Sequence, residues 1–193
     1  MERYQQIMNF MREVEKLKQI TRIVYLSDQK TLEDDAQHSW HMAIILMCIK
    51  DEIWLEFDML KAMKMIMLHD LGEIYVWDSF VAFDKEAKKN KDKKEMESLD
   101  KVLSLLPDDL KREFHGLVEE YNQRKTIESK IVKALDQIQY KIQYLTNGWL
   151  YKWKGEFERS SQKDYEYGKS KLEFNQYLFD MFKNLIEESK KHN

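Results

Sequence analysis

Helix-breaking residues are almost missing from this chain: one proline and five glycines occur in 193 residues. Between these few interruptions the apolar residues recur at three- and four-residue steps nearly everywhere, the spacing that puts them on one face of a helix. The expected fold class is therefore all-α, a single globular helical bundle over residues 1–193, and that length can bury a substantial core.

An opening helix is expected from roughly Arg3 to Ile20, with Ile7, Phe10, Met11, Val14 and Leu17 at helical spacing. The stretch "YLSDQKTLEDDAQ" reads as a polar connection. A second helix should start near Ala36 or Gln37, capped by Asp34 or Asp35, turn Trp40, Ala43, Ile44 and Met47 inward, and end near Asp51. A third runs from about Phe57 to Asp70 and fails around Gly72, read as its bend. The lysine-rich "DKEAKKNKDKKEMES" mixes both signs and reads as a solvated helical face. Pro107 suits the first position of the next helix, with Asp108 and Asp109 behind it. In "TIESKIVKALDQIQYKIQYL", Ile127, Ile131, Ala134, Leu135, Ile138 and Ile142 form one apolar stripe with Asp136 near its edge. An amphipathic helix from about Lys171 to Glu188 is expected near the end.

A formal net charge of −3 and a pI near 6.0 argue against a nucleic-acid polymer as partner, since such binders present a basic surface. Cys48 is the only cysteine, so no intramolecular disulfide can form, and its simplest reading is a buried small hydrophobe. Neither a signal peptide nor an uncharged apolar run of membrane-spanning length is visible, so a cytoplasmic protein without a membrane partner is expected.

The chemistry concentrates at "MLHDLGEIYVWD", Met67 to Asp78. His69 and Asp70 diverge by roughly 100° on an ideal helix and can converge only where the helix ends or bends. Together they offer the imidazole nitrogen and carboxylate oxygen that a hard or borderline divalent cation takes. Further ligands must come from elsewhere. His38 opens the second helix, and His41 lies one turn further along on roughly the same side. His115 and His192 read as surface residues. Asp136 is flanked by Ala134, Leu135 and Ile138, an environment costly for an acid unless it is paired or metal-bound. Read singly, the HD step could be a polar helix terminus and Asp136 a salt-bridged acid. A set of His38, His69, Asp70 and Asp136 is nevertheless chemically coherent.

The order His, then His-Asp, then a distant Asp on a helical chain resembles the HD-domain metal-dependent phosphohydrolases, in particular a bacterial group related to the 5′-deoxynucleotidases. "EDDAQHSWHMA" is similar to that group's E-N-D-A-E-H-S-W-H-x-A, and "HDLGEIYVWDSF" to its H-D-x-x-E-x-x-x-G-D-T-F. "LKQITRIVYL" and "LLPDDLKREFHGLVEEYNQRKTIESKIVKALDQIQ" match two further blocks in the same order. The resemblance covers about residues 14–147, leaving 148–193 as a helical extension. It implies that His38, His69, Asp70 and Asp136 hold one divalent metal ion, whether Mn, Co, Fe, Ni, Zn or Mg. It further implies that Glu73 orients or deprotonates the attacking water, that Arg22 meets the phosphate, and that Asp78 contacts the sugar. The implied activity is a 5′-nucleotidase-like phosphomonoesterase in which a metal-bound water attacks a nucleoside 5′-monophosphate or similar ester. A homodimer is implied too, helped by aromatics such as Trp149 and Trp153.

Three positions depart from that pattern. Gln37 stands where the group has an acid, Thr31 and Leu32 where it has arginine, and Trp77 replaces the glycine before Asp78. The first two motivate a second expectation, a catalytically weakened HD domain that binds a nucleotide or protein. The third points to a reshaped sugar side of the pocket. Alarmone hydrolases are disfavoured, because Ile74 follows Glu73 where they carry an acid.

Overall fold

The computed structural model describes residues 2–76, 85–148 and 161–190. Helix α1 (Glu2–Val14) tightens into a 3-10 turn at Glu15–Gln19 rather than continuing to Ile20. An antiparallel hairpin follows, β1 (Thr21–Tyr25) and β2 (Leu32–Asp34), with Thr21 opposite Asp34 and Tyr25 opposite Leu32. This small sheet is an addition to the expected helical fold. The β-branched run Thr21, Ile23 and Val24 favours extended backbone, and Asp28 closes the loop by accepting from the Lys30 and Thr31 amides at 2.9 Å.

Helix α2 (Asp35–Ile49) opens on a reciprocal capping box. The Gln37 amide donates to Asp34 Oδ1 at 2.8 Å, and Gln37 Oε1 accepts from the Asp34 amide at 3.0 Å. Its orientation differs from expectation. Ala43 is buried, but Trp40, Ile44 and Met47 are exposed, while Asp35, His38, Ser39, Met42, Ile45, Leu46 and Ile49 face inward. The helix is apolar all round, so periodicity could not choose its inner face. Cys48 falls on the outer side and is exposed, contrary to the buried reading.

Helix α3 (Met59–Leu68) starts on the Asp58 cap and ends two residues before Asp70, after which Leu71–Tyr75 forms a 3-10 turn. Gly72 lies inside that turn, so it does not end the helix. A Cβ there would stand 2.7 Å from the backbone oxygen of Glu95, and glycine is required for the close approach of α4 (Lys85–Leu103). Helix α5 (Asp108–Gln123) begins one residue after Pro107, which is its N-cap. Helix α6 (Ile127–Thr146) buries Ile131, Ala134, Leu135 and Ile138 completely, with Ile127 and Ile142 half-buried at its ends. The expected closing helix is two, α7 (Ser161–Leu172) and α8 (Gln176–Lys190), separated where Asn175 Oδ1 accepts from the Leu178 amide at 3.0 Å.

α6 is the axis of the bundle. Met42 and Leu46 of α2, Met65 and Ile66 of α3, and Leu178 and Phe182 of α8 close a single apolar cluster around its buried stripe. The hairpin is tied to the far end of α6, because Gln143 and Asn147 both donate to the Tyr25 carbonyl, at 2.8 and 2.9 Å. Packing thus brings the start of α2, the end of α3, the middle of α6 and the hairpin to one place.

Candidate metal centre

Three of those elements each deliver one donor. His38 from α2, His69 from the end of α3 and Asp136 from α6 present ligand atoms that all lie within 4.8 Å of one another. His38 Nε2 is 3.4 Å from Asp136 Oδ1, and His69 Nε2 is 3.1 Å from Asp70 Oδ2. The other nitrogen of each ring is occupied: His69 Nδ1 donates to the Ile66 carbonyl at 2.8 Å, and His38 Nδ1 is 2.6 Å from Gln139 Oε1. Both Nε2 atoms, and Asp70 Oδ2, are buried without a hydrogen-bond partner. Two orphaned imidazole nitrogens converging with two carboxylates fit a divalent cation, because such buried atoms are costly unless something polar or charged satisfies them.

Each acid is held from behind. Lys133 Nζ binds Asp136 Oδ2 at 2.6 Å and the Tyr121 hydroxyl at 3.0 Å, leaving Asp136 Oδ1 to face His38. Burial penalises the Asp136 charge, yet Lys133 and His38 overcome it and hold the carboxyl well below its usual range. Asp70 behaves alike: burial opposes ionisation, and His69, Arg22 and His38 outweigh it. His38 is pushed down by burial, with Arg22 adding to the effect, so it stays neutral as a ligand must. For His69 burial pulls the other way from Asp70 and Asp136, and the acids win. The negative field that favours a proton on His69 equally favours a cation between the donors.

The HD domain family matches residues 14–178. The chain belongs to the HD-domain family. Among curated relatives, this HD domain is 33% identical over 139 residues to the human protein named 5′-deoxynucleotidase HDDC2, covering 71% of this chain and 66% of that one. The Xenopus laevis protein of the same name is 33% identical over 140 residues, with 72% of this chain and 68% of that one covered. The chain thus spans about two thirds of the length of these relatives. In fold it is similar to a Magnetospirillum magnetotacticum protein described as a predicted metal-dependent phosphohydrolase, with a TM-score of 0.86, 24% identity, and 100% and 97% of the two chains covered. It is also similar to a conserved hypothetical protein of Pyrococcus furiosus, with a TM-score of 0.68, 27% identity, and 93% and 99% covered.

Of the residues singled out in the HD-domain sequence, His38, His69, Asp70 and Asp136 come together. Arg22, on β1, sits in a carboxylate cradle, its Nε 3.5 Å from Glu33 and its Nη1 3.3 Å from Asp35 and 3.6 Å from Asp70. Glu73 is buried in the 3-10 turn, its amide bound to the Asp70 carbonyl at 2.9 Å and its Oε1 3.1 Å from Lys91 Nζ. Lys91 therefore departs from the solvated face expected for its segment, while Lys93, its neighbour, keeps it. Asp78, Trp77, Trp149, Trp153 and His192 lie outside the described residues. His115 pairs with Asp100 at 3.4 Å on α5, away from the donor set. Glu33, Asp35, Lys91, Tyr121, Lys133 and Gln139 were missed. Gln139 follows Asp136 by three residues and shares its face of α6, but that spacing alone does not mark an amide as the support of a ligand.

Proposed function

We propose that this HD domain is a divalent-metal-dependent phosphomonoesterase acting on a nucleoside 5′-monophosphate. The observation that carries the reading is the convergence of two bare imidazole Nε2 atoms with Asp70 and Asp136 beside a half-buried arginine and a buried glutamate. His38, His69, Asp70 and Asp136 would hold one ion, and a His2Asp2 set suits manganese, cobalt, iron, nickel, zinc or magnesium. A divalent ion bound there supplies charge neutralisation and a lowered water pKa. The chain's own residues do the rest. Glu73 accepts a hydrogen from the attacking water and orients it. Arg22 offers guanidinium N–H groups to the phosphoryl oxygens, a fork matched to two of them. Asp78 accepts from a sugar hydroxyl; as the water oxygen bonds to phosphorus the P–O5′ bond opposite it breaks, and the proton lost by the water is balanced by one gained at O5′ of the leaving nucleoside.

The 5′-deoxynucleotidase names of the curated relatives support a nucleotide substrate. None of the described helices is long and apolar enough to cross a membrane, and we place the protein in the cytoplasm. The exposed apolar stripe of α2, Trp40, Ile44 and Met47, supports a homodimer. Residues 161–190 belong to the same domain in this reading, since Leu178, Phe182 and Ile186 join its core. The weakened-domain alternative loses one motive, because Gln37 closes the capping box of α2.

Phosphate release measured over a panel of nucleoside monophosphates, each with several divalent metals, tests this directly. Wild-type protein should turn over at least one substrate only when metal is present, and Asp70→Ala should abolish it. Glu73→Gln should bind metal normally and lose about 10²-fold or more in turnover. The enzyme reading fails if no nucleotide yields phosphate in a metal-dependent manner.

A further inference from the structure

Gln139 is completely buried and uses its whole side-chain amide. Its Nε2 lies 2.6 Å from Glu33 Oε1 and 3.2 Å from His41 Nδ1, and its Oε1 lies 2.6 Å from His38 Nδ1. An amide nitrogen can only donate and an amide oxygen can only accept. The Glu33 carboxylate on the nitrogen side fixes which way the amide points. His38 Nδ1 must then carry the ring proton, and the lone pair is left on Nε2, the atom that faces Asp136 and His69. His41 Nδ1, receiving an N–H, must be bare, so its proton sits on Nε2.

Glu33 continues the chain outward. Its Oε1 accepts from Gln139 while its Oε2 lies 3.5 Å from Arg22 Nε, itself 3.6 Å from Asp70 through Nη1. We propose that Gln139 and Glu33 form a positioning relay that locks the His38 and His41 rings in opposite tautomers, aims His38 Nε2 into the metal site, and ties that ligand to Arg22. Neither residue touches the metal or the substrate. Their effect is preorganisation of a ligand, the part outer partners of metal-bound histidines play generally, where loss costs 10–100-fold in metal affinity. The relay deepens the proposed function and rests on it only for what His38 binds.

The primary test needs no substrate. In a long-range ¹H–¹⁵N correlation spectrum of the wild-type protein with chelator at neutral pH, His38 should carry its proton on Nδ1 and His41 on Nε2, the resonances being assigned with His41→Asn. Matching tautomers, or a proton on His38 Nε2, would overturn the relay even if the protein proved an active nucleotidase. Calorimetric titration with manganese gives the second readout. Gln139→Met, which keeps the volume and loses both the acceptor and the donors, should weaken binding 10–100-fold. Equal affinity in Gln139→Met and wild type would show that the amide only fills space. If Gln139→Met does not fold, the wild-type tautomers decide alone.

Discussion

At Glu33, burial and charge pull against each other. Burial dominates over the Arg22 and Gln139 contacts and pushes the carboxyl from an ordinary 4.5 up to about 7. A carboxyl whose folded-state pKa lies above its unfolded one binds its proton more tightly when folded. Its stabilising contribution is therefore complete below about 4.5 and is lost as pH rises through about 7. Glu33→Gln has no such titration. With chelator present, wild-type stability measured against Glu33→Gln should fall on the order of 3 kcal/mol between those two pH values, as read from urea midpoints; a pH-independent difference would show that Glu33 is solvated. At this scale the sequence was readable where a residue type conflicted with its neighbours. Asp136, flanked by Ala134, Leu135 and Ile138, and His69 after an apolar run stand out because their surroundings are wrong for them. Gln139 and Lys133 do not, since an amide or lysine on a helix looks the same whether it faces solvent or supports a ligand.

The 3-10 turn Leu71–Tyr75 is the element on which the site depends most closely, because it follows the HD pair and carries Glu73 beneath α4. Gly72→Ala would force its Cβ against the Glu95 carbonyl. Backbone cannot yield as a flexible side chain would, so we expect a loss of about 1–3 kcal/mol together with reduced turnover as Glu73 shifts away from Asp70. Thermal unfolding and phosphate release check both; an unaltered melting temperature would mean that α4 can retreat freely. Helix starts were legible to within a few residues from Asp34 and Pro107, whose capping chemistry is local. The inner face of α2 was not, because its apolar residues cover every side and only its packing against α3 and α6 selects His38 for the interior. The hairpin was missed for a related reason: five residues and three are too few to show a period of two.

Over the whole molecule, the same α2 face that periodicity could not place is now an exposed stripe, Trp40 at 63% and Met47 at 59%. Apolar surface of this kind is a site for association. Light scattering should give a dimer for the wild type and a monomer for Met47→Glu, with metal affinity unchanged; a wild-type monomer at micromolar concentration would remove the homodimer from the account. We propose that His38 of α2, His69 and Asp70 just past the end of α3, and Asp136 of α6, drawn together by burial of the α6 stripe, hold a single divalent ion. Anomalous diffraction from zinc-soaked crystals addresses it most directly. One strong peak is expected at about 2.0–2.2 Å from His38 Nε2, His69 Nε2 and carboxylate oxygens of Asp70 and Asp136. A peak coordinated elsewhere, or none among these four in crystals that bind zinc at other sites, would contradict it.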